Sequence, residues 1–359
     1  MATIEENTSI TNAYQCESCG APLVYKPGTS HLYCSYCGSV KNIVKEDFTI
    51  NELRLDLYLQ NFEKETYSTT KVVICANCKA KPTVNENLQS MQCPYCGSPL
   101  IESNVQQERY IKPSYVLPFR IDKSQTNEIL TKWINSLWFA PNKLKKAILT
   151  PINLNGIYLP YWTYDAYTRT EYTGKRGDYH FVTVGSGKNK RTEVRTIWTN
   201  KRGTIHSFYD DILVLATNTL DQSIIKGLKG WNIKAIVKIN DSFLAGFITE
   251  KYQIDLKQAF LIAKEIIKSS EKELVKKDIG GDKQQIYTMN MQFVDVTFKH
   301  ILLPIYVSAF RYKQKMYAFY INGESGCISG KRPYSAIKIT MAVIIAIILI
   351  GVMIWLYNN

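Results

Sequence analysis

Eight of the nine cysteines form two copies of one pattern: Cys16, Cys19, Cys34, Cys37 and then Cys75, Cys78, Cys93, Cys96. In each copy a C-x2-C pair is followed by 14 residues and a second C-x2-C pair, and the two copies lie 59 residues apart. Two residues between cysteines allow one tight turn to aim both sulfurs at a tetrahedral ion, and the spacer allows a hairpin to bring two such knuckles together. The spacing therefore predicts two four-thiolate zinc ribbons, each closed around a structural Zn²⁺. Four thiolates leave no open position for water or substrate. Gly20, Gly38 and Gly97 follow the second cysteine of their pairs, where the turn favours positive φ; Lys79 holds the fourth such place.

Other uses of the cysteines fit less well. Disulfides need an oxidising compartment, and the first fifteen residues, MATIEENTSITNAYQ, have no apolar stretch of the kind an export signal carries. A redox C-x2-C is expected once beside a βαβ pattern, not four times in register. Iron in a rubredoxin-like site uses similar knuckles and stays open as the alternative metal. A ribbon of this size buries too little apolar surface to fold alone, so the metal is expected to determine the fold.

From Ile339 to Tyr357 run nineteen residues without a charge, ITMAVIIAIILIGVMIWLY. At 1.5 Å per helical residue such a segment just spans a hydrocarbon layer of about 30 Å. Lys331, Arg332 and Lys338 precede it. The positive-inside bias then places the preceding mass in the cytoplasm, as a single-pass protein of the cell (inner) membrane with a carboxy-terminal anchor. A lone span without ionisable residues is not expected to form a channel or transporter by itself.

Charge is divided unevenly. Residues 1–110 hold 9 Lys+Arg against 12 Asp+Glu, which leaves 35 against 19 for the rest out of chain totals of 44 and 31. Zn²⁺ with four thiolates adds negative charge to the first part. Anionic ribbons grip phosphates poorly, whereas a cationic region beside the span suits an anionic membrane surface.

The order of segments reads as zinc ribbon 1 (1–46), a linker (47–71), zinc ribbon 2 (72–101), a second linker (102–114), a basic cytoplasmic domain (115–335) and a transmembrane helix (337–357). In the first linker, 47–71, a short amphipathic helix is slightly favoured over a strand. Three apolar stretches with Leu-Pro, VLPFRI (116–121), YLPYWTY (158–164) and LLPIYVS (302–308), read as strand entrances, where proline is tolerated. Tyr167–Tyr172 with GKRG, then YHFVTV (179–184), the polar tip GSGKNKR and TEVRTIWT (192–199) read together as antiparallel hairpins. KHILLPIYVSAFRYKQKMYAFYING (299–323) reads as another hairpin, in which HILLPIY (300–306) echoes GIYLPYW (156–162). Helices are expected at Ser124–Leu137, with Ile129, Leu130, Trp133, Ile134 and Leu137 on one stripe, and at Leu256–Lys276 after the cap-like Asp255. The expected class is α+β: two tandem four-cysteine zinc ribbons, an antiparallel-sheet α+β domain and a C-terminal transmembrane helix.

Catalytic patterns are scarce. The four histidines, His31, His180, His206 and His300, form neither an HExxH motif nor any other metal-ligand spacing, and no GxSxG occurs. GSGK at 185–188 lacks the upstream glycine of a Walker loop and reads as a hairpin turn. DIGGD (278–282) could bracket a cation but reads better as a turn between elements, because a calcium loop needs more oxygens at regular intervals. Cys327 lies in a turn-rich segment and becomes a nucleophile only if a base arrives from elsewhere. No catalytic or cofactor-binding residue is therefore assigned, and an enzyme is not expected.

LPYWTYDAYTRTEYTGKRG (159–177), DIGGD (278–282), KHILLPIYVSAFRYKQKMYAFYINGESGCISGKRPYSAIKI (299–339) and CPYCG (93–97), with the terminal span, resemble bacterial membrane-anchored proteins with TFIIB-type zinc ribbons. Members are often labelled PriA-like primosomal helicases, but this chain carries no Walker motif or motor domain. The resemblance implies a protein sometimes encoded beside SPFH (flotillin-like) and PspA-like membrane-stress proteins. The expected function is a membrane-anchored cytoplasmic adaptor or scaffold whose ribbons bind protein partners while the basic domain meets the anionic membrane surface. Two alternatives remain. One is a membrane-tethered nucleic-acid binder using Lys188, Lys190, Arg191, Arg195, Lys201 and Arg202; the other is an enzyme with an unrecognised pocket in 111–335.

Overall fold

The computed structural model describes residues 14–44, 48–60, 68–83, 91–101, 104–142, 154–187, 190–220, 222–312 and 315–358. The first quartet is carried by a three-stranded antiparallel sheet of β1 (Leu23–Tyr25), β2 (His31–Cys34) and β3 (Val40–Asn42). β4 (Leu53–Arg54) then leads into the short helix Leu55–Gln60. Around the second quartet, β5 (Ser68–Val73) pairs with β8 (Val105–Tyr110), and between them β6 (Met91–Gln92) pairs with β7 (Pro99–Leu100). The body follows with β9 (Tyr115–Val116), helix Lys123–Ser136, β10 (Asn155–Val184), β11 (Arg191–Leu215), β12 (Val237–Lys238) and β13 (Ile248–Thr249). It ends with helix Leu256–Ile279, β14 (Lys283–Tyr312), β15 (Lys315–Asn322), β16 (Ile328–Gly330) and the apolar helix Ala336–Asn358. The class is α+β, as expected.

The central sheet has the order β11-β10-β14-β15-β16, with β4, β9, β12 and β13 attached to it. Its organisation is that of a repeated unit. A short strand, a helix, a long strand and its hairpin partner occur first as β9, Lys123–Ser136, β10 and β11, then as β13, Leu256–Ile279, β14 and β15. Each short strand pairs in parallel with the long strand of the other unit, β9 with β14 and β13 with β10. The long strands run antiparallel, with Leu159 opposite Leu303. Both helices start alike: Asp122 accepts from the Gln125 amide at 2.9 Å, and Asp255 accepts from the Gln258 amide at 2.8 Å. Such caps satisfy amides that the first turn leaves unpaired. The echo between GIYLPYW and HILLPIY is therefore structural.

Pro160 and Pro304 lie inside these central strands rather than at strand entrances. A proline there would normally leave a ladder gap. At Pro160 the neighbour changes: Tyr158 O accepts from the Glu250 amide after β13, and Pro160 O accepts from the Ala216 amide after β11. At Pro304 the same exchange occurs, since Leu302 O accepts from Leu117 N and Pro304 O from Gly323 N. Each proline faces the junction between two neighbours, where no acceptor waits for an N–H.

The expected break at GKRG is absent; β10 continues straight through it. Gly174 and Gly177 serve close packing, not a turn. A Cβ at Gly174 would fall 2.2 Å from Gln285 O, where β14 shifts register, and one at Gly177 would meet the Trp198 ring at 2.8 Å. β10, β11 and β14 thus form a long ribbon. Helix Leu256–Ile279 covers one face of it with a stripe at every fourth position, Ala259, Ala263, Ile267, Glu271, Val275 and Ile279, all buried. Facing strand residues Ala166, Thr168 and Thr170 are small, which lets the helix lie close. Glu271 in this stripe accepts from Tyr209 Oη at 2.5 Å and Ser207 Oγ at 3.3 Å.

Level with Asp165, both flanking strands bulge at an aspartate with positive φ, Asp211 at 51° and Asp295 at 50°. Lys299 fills this acidic pocket, 2.6 Å from Glu52, 2.9 Å from Asp211 and 3.4 Å from Asp165. Burial, and Glu52 alongside, push the Asp165 carboxyl up to about 7. Glu52, bonded by Asp165 and by Lys299, is held down to about 2. The segment containing Glu52, read from the sequence as linker, is thereby fastened to the sheet; β4 pairs with β14 and Leu55 is buried. Likewise the 102–114 connector contains β8. Residues 47 and 61–67 of the first connector, and Glu102 and Ser103 of the second, lie outside the described residues.

Candidate metal centres

All four knuckles share one backbone. The amide of the fourth residue after the first cysteine bonds back to that cysteine's carbonyl: Gly20 to Cys16 at 2.8 Å, Gly38 to Cys34 at 3.0 Å, Lys79 to Cys75 at 3.0 Å and Gly97 to Cys93 at 2.8 Å. The closing residue has φ of 72°, 79°, 62° and 71° respectively. Lys79 therefore adopts the conformation that glycine adopts in the other three. The turns leave amides pointing at sulfur, and Cys16 is drawn down to about 6, first by the Ser18 amide. Burial, by contrast, pushes the Cys75 thiol up.

Within each quartet the ligand atoms converge. Sγ separations are 3.4 Å for Cys16–Cys37, 3.6 Å for Cys19–Cys34, 3.7 Å for Cys75–Cys96 and 3.4 Å for Cys78–Cys93. All four sulfurs of each group lie within 4.8 Å of one another. A tetrahedral ion with ligands at about 2.3 Å sets its sulfurs about 3.8 Å apart, and a disulfide needs about 2.05 Å. The geometry therefore suits a shared metal ion and not a disulfide. In both groups the first cysteine of each pair is buried and the second lies nearer solvent.

A second layer of hydroxyl and amide groups repeats with the same offset. Ser39 Oγ lies 3.0 Å from Cys37 Sγ and 3.1 Å from Ser18 Oγ; Ser98 Oγ lies 3.3 Å from Cys96 Sγ and 3.2 Å from Asn77 Nδ2. Outer-shell donors of this kind orient and tune metal ligands. The sequence signal for them was available: a serine stands two residues after the last cysteine of both quartets.

The two centres differ in their surroundings. Ribbon 1 is fixed to the body along one side, through Tyr25 N to Ala245 O at 2.9 Å, Gly28 N to Phe119 O at 2.9 Å and a Tyr25–Phe243 ring contact at 5.3 Å. Its two knuckle turns remain exposed, and Tyr36 at the tip of the second is 88% exposed. Ribbon 2 has its second knuckle inside the protein. Tyr95, the residue that corresponds to Tyr36, is 7% exposed and donates its hydroxyl to Glu250. Glu250 also accepts from Thr217 Oγ1 at 2.9 Å, Thr219 Oγ1 at 2.5 Å and Gln253 Nε2 at 3.2 Å. Burial raises the Glu250 carboxyl while these donors oppose the rise. Cys75, Cys93 and Tyr95 share an apolar core with Leu159, Ile301 and Leu303.

The other sequence candidates are accounted for by packing. Asp278 accepts from Tyr172 Oη and Asp282 from the Tyr179 amide at 2.7 Å, so the DIGGD carboxylates serve the turn between helix and β14. Cys327 Sγ donates to Gly227 O at 3.3 Å. His300 is buried against Trp162, its ring 4.4 Å away, with Nδ1 at 2.8 Å from Ile111 O. In the basic hairpin, strand alternation sets Arg191, Arg195 and Lys201 on one face and Arg202 on the other, and Arg191 pairs with Glu193 at 2.7 Å. Lys188 lies outside the described residues.

The terminal helix is long and apolar enough to cross a membrane: within Ala336–Tyr357 a window of 18 residues has a mean hydropathy of 2.9, and no residue of that window is buried against the body. Fold and site together define a two-centre tetra-cysteine protein of α+β class with a candidate terminal span. The chain is similar to the uncharacterized protein YdjG of Bacillus subtilis (strain 168), 23% identical over 337 residues that cover 91% of this chain and 92% of that protein. No protein-family model and no solved structure matches the chain.

Proposed function

We propose that the protein is a membrane-anchored cytoplasmic adaptor that holds two structural Zn²⁺ ions and recognises protein partners with ribbon 1. The observation that carries this reading is the opposite treatment of Tyr36 and Tyr95. Ribbon 2 is absorbed into the body, whereas ribbon 1 offers a metal-stiffened surface in which Tyr36, Val40 and Val44 are exposed beside Glu17 and Ser18. An aromatic side chain at the tip of a rigid turn is the kind of group that anchors interfaces. The terminal span supplies the anchor, and the basic balance of residues 111–359 suits the anionic leaflet. Partners of the SPFH or PspA-like membrane-stress type fit the resemblance drawn from the sequence.

The test is a comparison of full-length proteins purified in mild detergent. Tyr36→Ser should keep both metal ions and membrane attachment while losing the proteins that co-purify with the wild type. Partners retained by Tyr36→Ser together with Val44→Ser would refute the assignment to ribbon 1. Retention of DNA by the same preparation at near-physiological salt, weakening as salt rises, would favour the nucleic-acid reading instead.

A further inference from the structure

Among the described residues, the body bonds to the start of the apolar helix through a single lysine, two backbone carbonyls and one side-chain amide. Lys338, in the first turn of that helix, donates to Ala140 O at 2.9 Å, Trp138 O at 3.2 Å and Asn142 Oδ1 at 2.8 Å. Just before the helix, Ser335 N donates to Phe139 O at 2.8 Å. Segment 138–142, which follows helix Lys123–Ser136, is thus fixed beside the start of the span. Its Trp138 side chain lies outward, 81% exposed, and Tyr334, just before the helix, is 59% exposed. Between Phe139 and Tyr334 on one side and Ile339, Ala342, Val343 and Ala346 on the other lies an apolar groove of about 400 Å³.

These side chains cannot be far from the bilayer if the helix crosses it. Residues 339–346 climb about 10 Å along a helix axis, so a ring packed against them reaches the depth of the first acyl carbons. Tryptophan and tyrosine prefer that boundary because their rings are apolar and their N–H or O–H groups can stay wet. Arg332 lies over the Tyr334 ring at 5.4 Å, so a cation stands beside that ring. Segment 138–142 surrounds the Lys338 ammonium with two backbone carbonyls and the Asn142 amide oxygen, so a charge near the apolar layer has its hydrogen bonds satisfied.

We infer that Trp138, Phe139 and Tyr334 form a collar that enters the bilayer interface beside the span, with a phospholipid acyl chain filling the groove. The inference rests on the reading of Ala336–Asn358 as a membrane span. Its consequence is that the body is seated on the membrane in one orientation instead of swinging on a tether.

The full-length protein, reconstituted in phosphatidylcholine–phosphatidylglycerol vesicles, provides the test. Nitroxide-labelled phosphatidylcholine with the label near the head of the acyl chain should quench a blue-shifted emission component that disappears in Trp138→Phe. Phe139→Glu should shift that component to the red and make it accessible to aqueous acrylamide. If the protein resists carbonate extraction but the Trp138 component is quenched by acrylamide and untouched by the lipid label, the collar is wrong and the span stands. If carbonate extracts the protein, both readings fall.

Discussion

Leu159 and Leu303 lie opposite one another at the centre of the sheet, and each is followed by a proline at which one neighbouring strand gives way to another. Around this pair the two halves of the body have equivalent parts, down to an Ile-Asp-x-x-Gln start to each helix at Ile121–Gln125 and Ile254–Gln258. The halves exchange their short strands, so neither completes its sheet alone. Pro160 and Pro304 are both buried, and replacing either by alanine supplies an N–H with no acceptor opposite, so either change should cost about 1–3 kcal/mol in thermal unfolding; a neutral result would mean that the new N–H finds a partner and would contradict the junction geometry.

Lys79 is the position where backbone strain is open to direct relief. Left-handed backbone costs a non-glycine residue about 1–2 kcal/mol. Lys79→Gly should therefore stabilise the metal-loaded protein by about 1 kcal/mol in thermal unfolding. Gly38→Ala should cost a similar amount, although a Cβ there would meet nothing within 4 Å, because the cost lies in φ alone.

Metal removal should reach beyond the ribbons. Elemental analysis of the full-length protein should find two zinc ions per chain, and Cys34→Ser should reduce this to one. Cys34 shares its apolar core with Phe119, Leu130 and Phe319 of the body. The substitution should accordingly increase proteolysis of the Lys123–Ser136 region as well as ribbon 1. One ion in the wild type, or iron, would overturn the assignment.

Two buried groups make opposite contributions across one pH window. Burial pulls the His300 imidazole down to about 4, so its share of stability is present above pH 6.5 and is lost as pH falls toward 4. That share is about 3 kcal/mol. Asp165, raised to about 7, contributes stability that is full below its ordinary carboxylate value and is lost as pH rises through 7. His300→Gln should thus lose less stability than the wild type between pH 7 and pH 4.5, and Asp165→Asn should lose more. Parallel pH profiles for all three proteins would contradict this.

Glu250 ties ribbon 2 to the body. Glu250→Ala leaves the buried Tyr95 and Thr217 hydroxyls and the half-buried Thr219 hydroxyl without this acceptor, and the expected cost is about 3 kcal/mol. Glu250→Gln keeps an acceptor and should recover part of it. Equal loss in the two variants would mean that packing, not the hydrogen bonds, sets the cost.

Much of this architecture was legible because local chemistry dictates it. Cysteine spacing specifies the knuckles, nineteen uncharged residues specify the terminal helix, and the cap-like Asp255 marks a helix start that the structure keeps. The length of β10 was not legible. Gly174-Lys-Arg-Gly177 carries the composition of a turn, and only the approach of Gln285 and Trp198 reveals why glycine is needed in a strand. Docking of the ribbons was also hidden, since Tyr36 and Tyr95 occupy equivalent places and only distant Glu250 distinguishes them. The linkers read from their polarity hold Glu52 and Glu108 instead, whose partners Lys299, Lys81 and Lys251 lie elsewhere along the chain.

Only five residues, 331–335, separate β16 from the apolar helix, and the last of them is already bonded to Phe139. Under the anchored reading, such a join leaves the body little freedom to tumble, and a partner bound to the same membrane would meet ribbon 1 by diffusing within a plane. Encounter in a plane at fixed height raises the effective concentration of one surface for another without any added contact. A weak interface at Tyr36 would then suffice between two membrane-bound proteins and fail for the same partner in free solution, which makes membrane residence itself a condition of recognition.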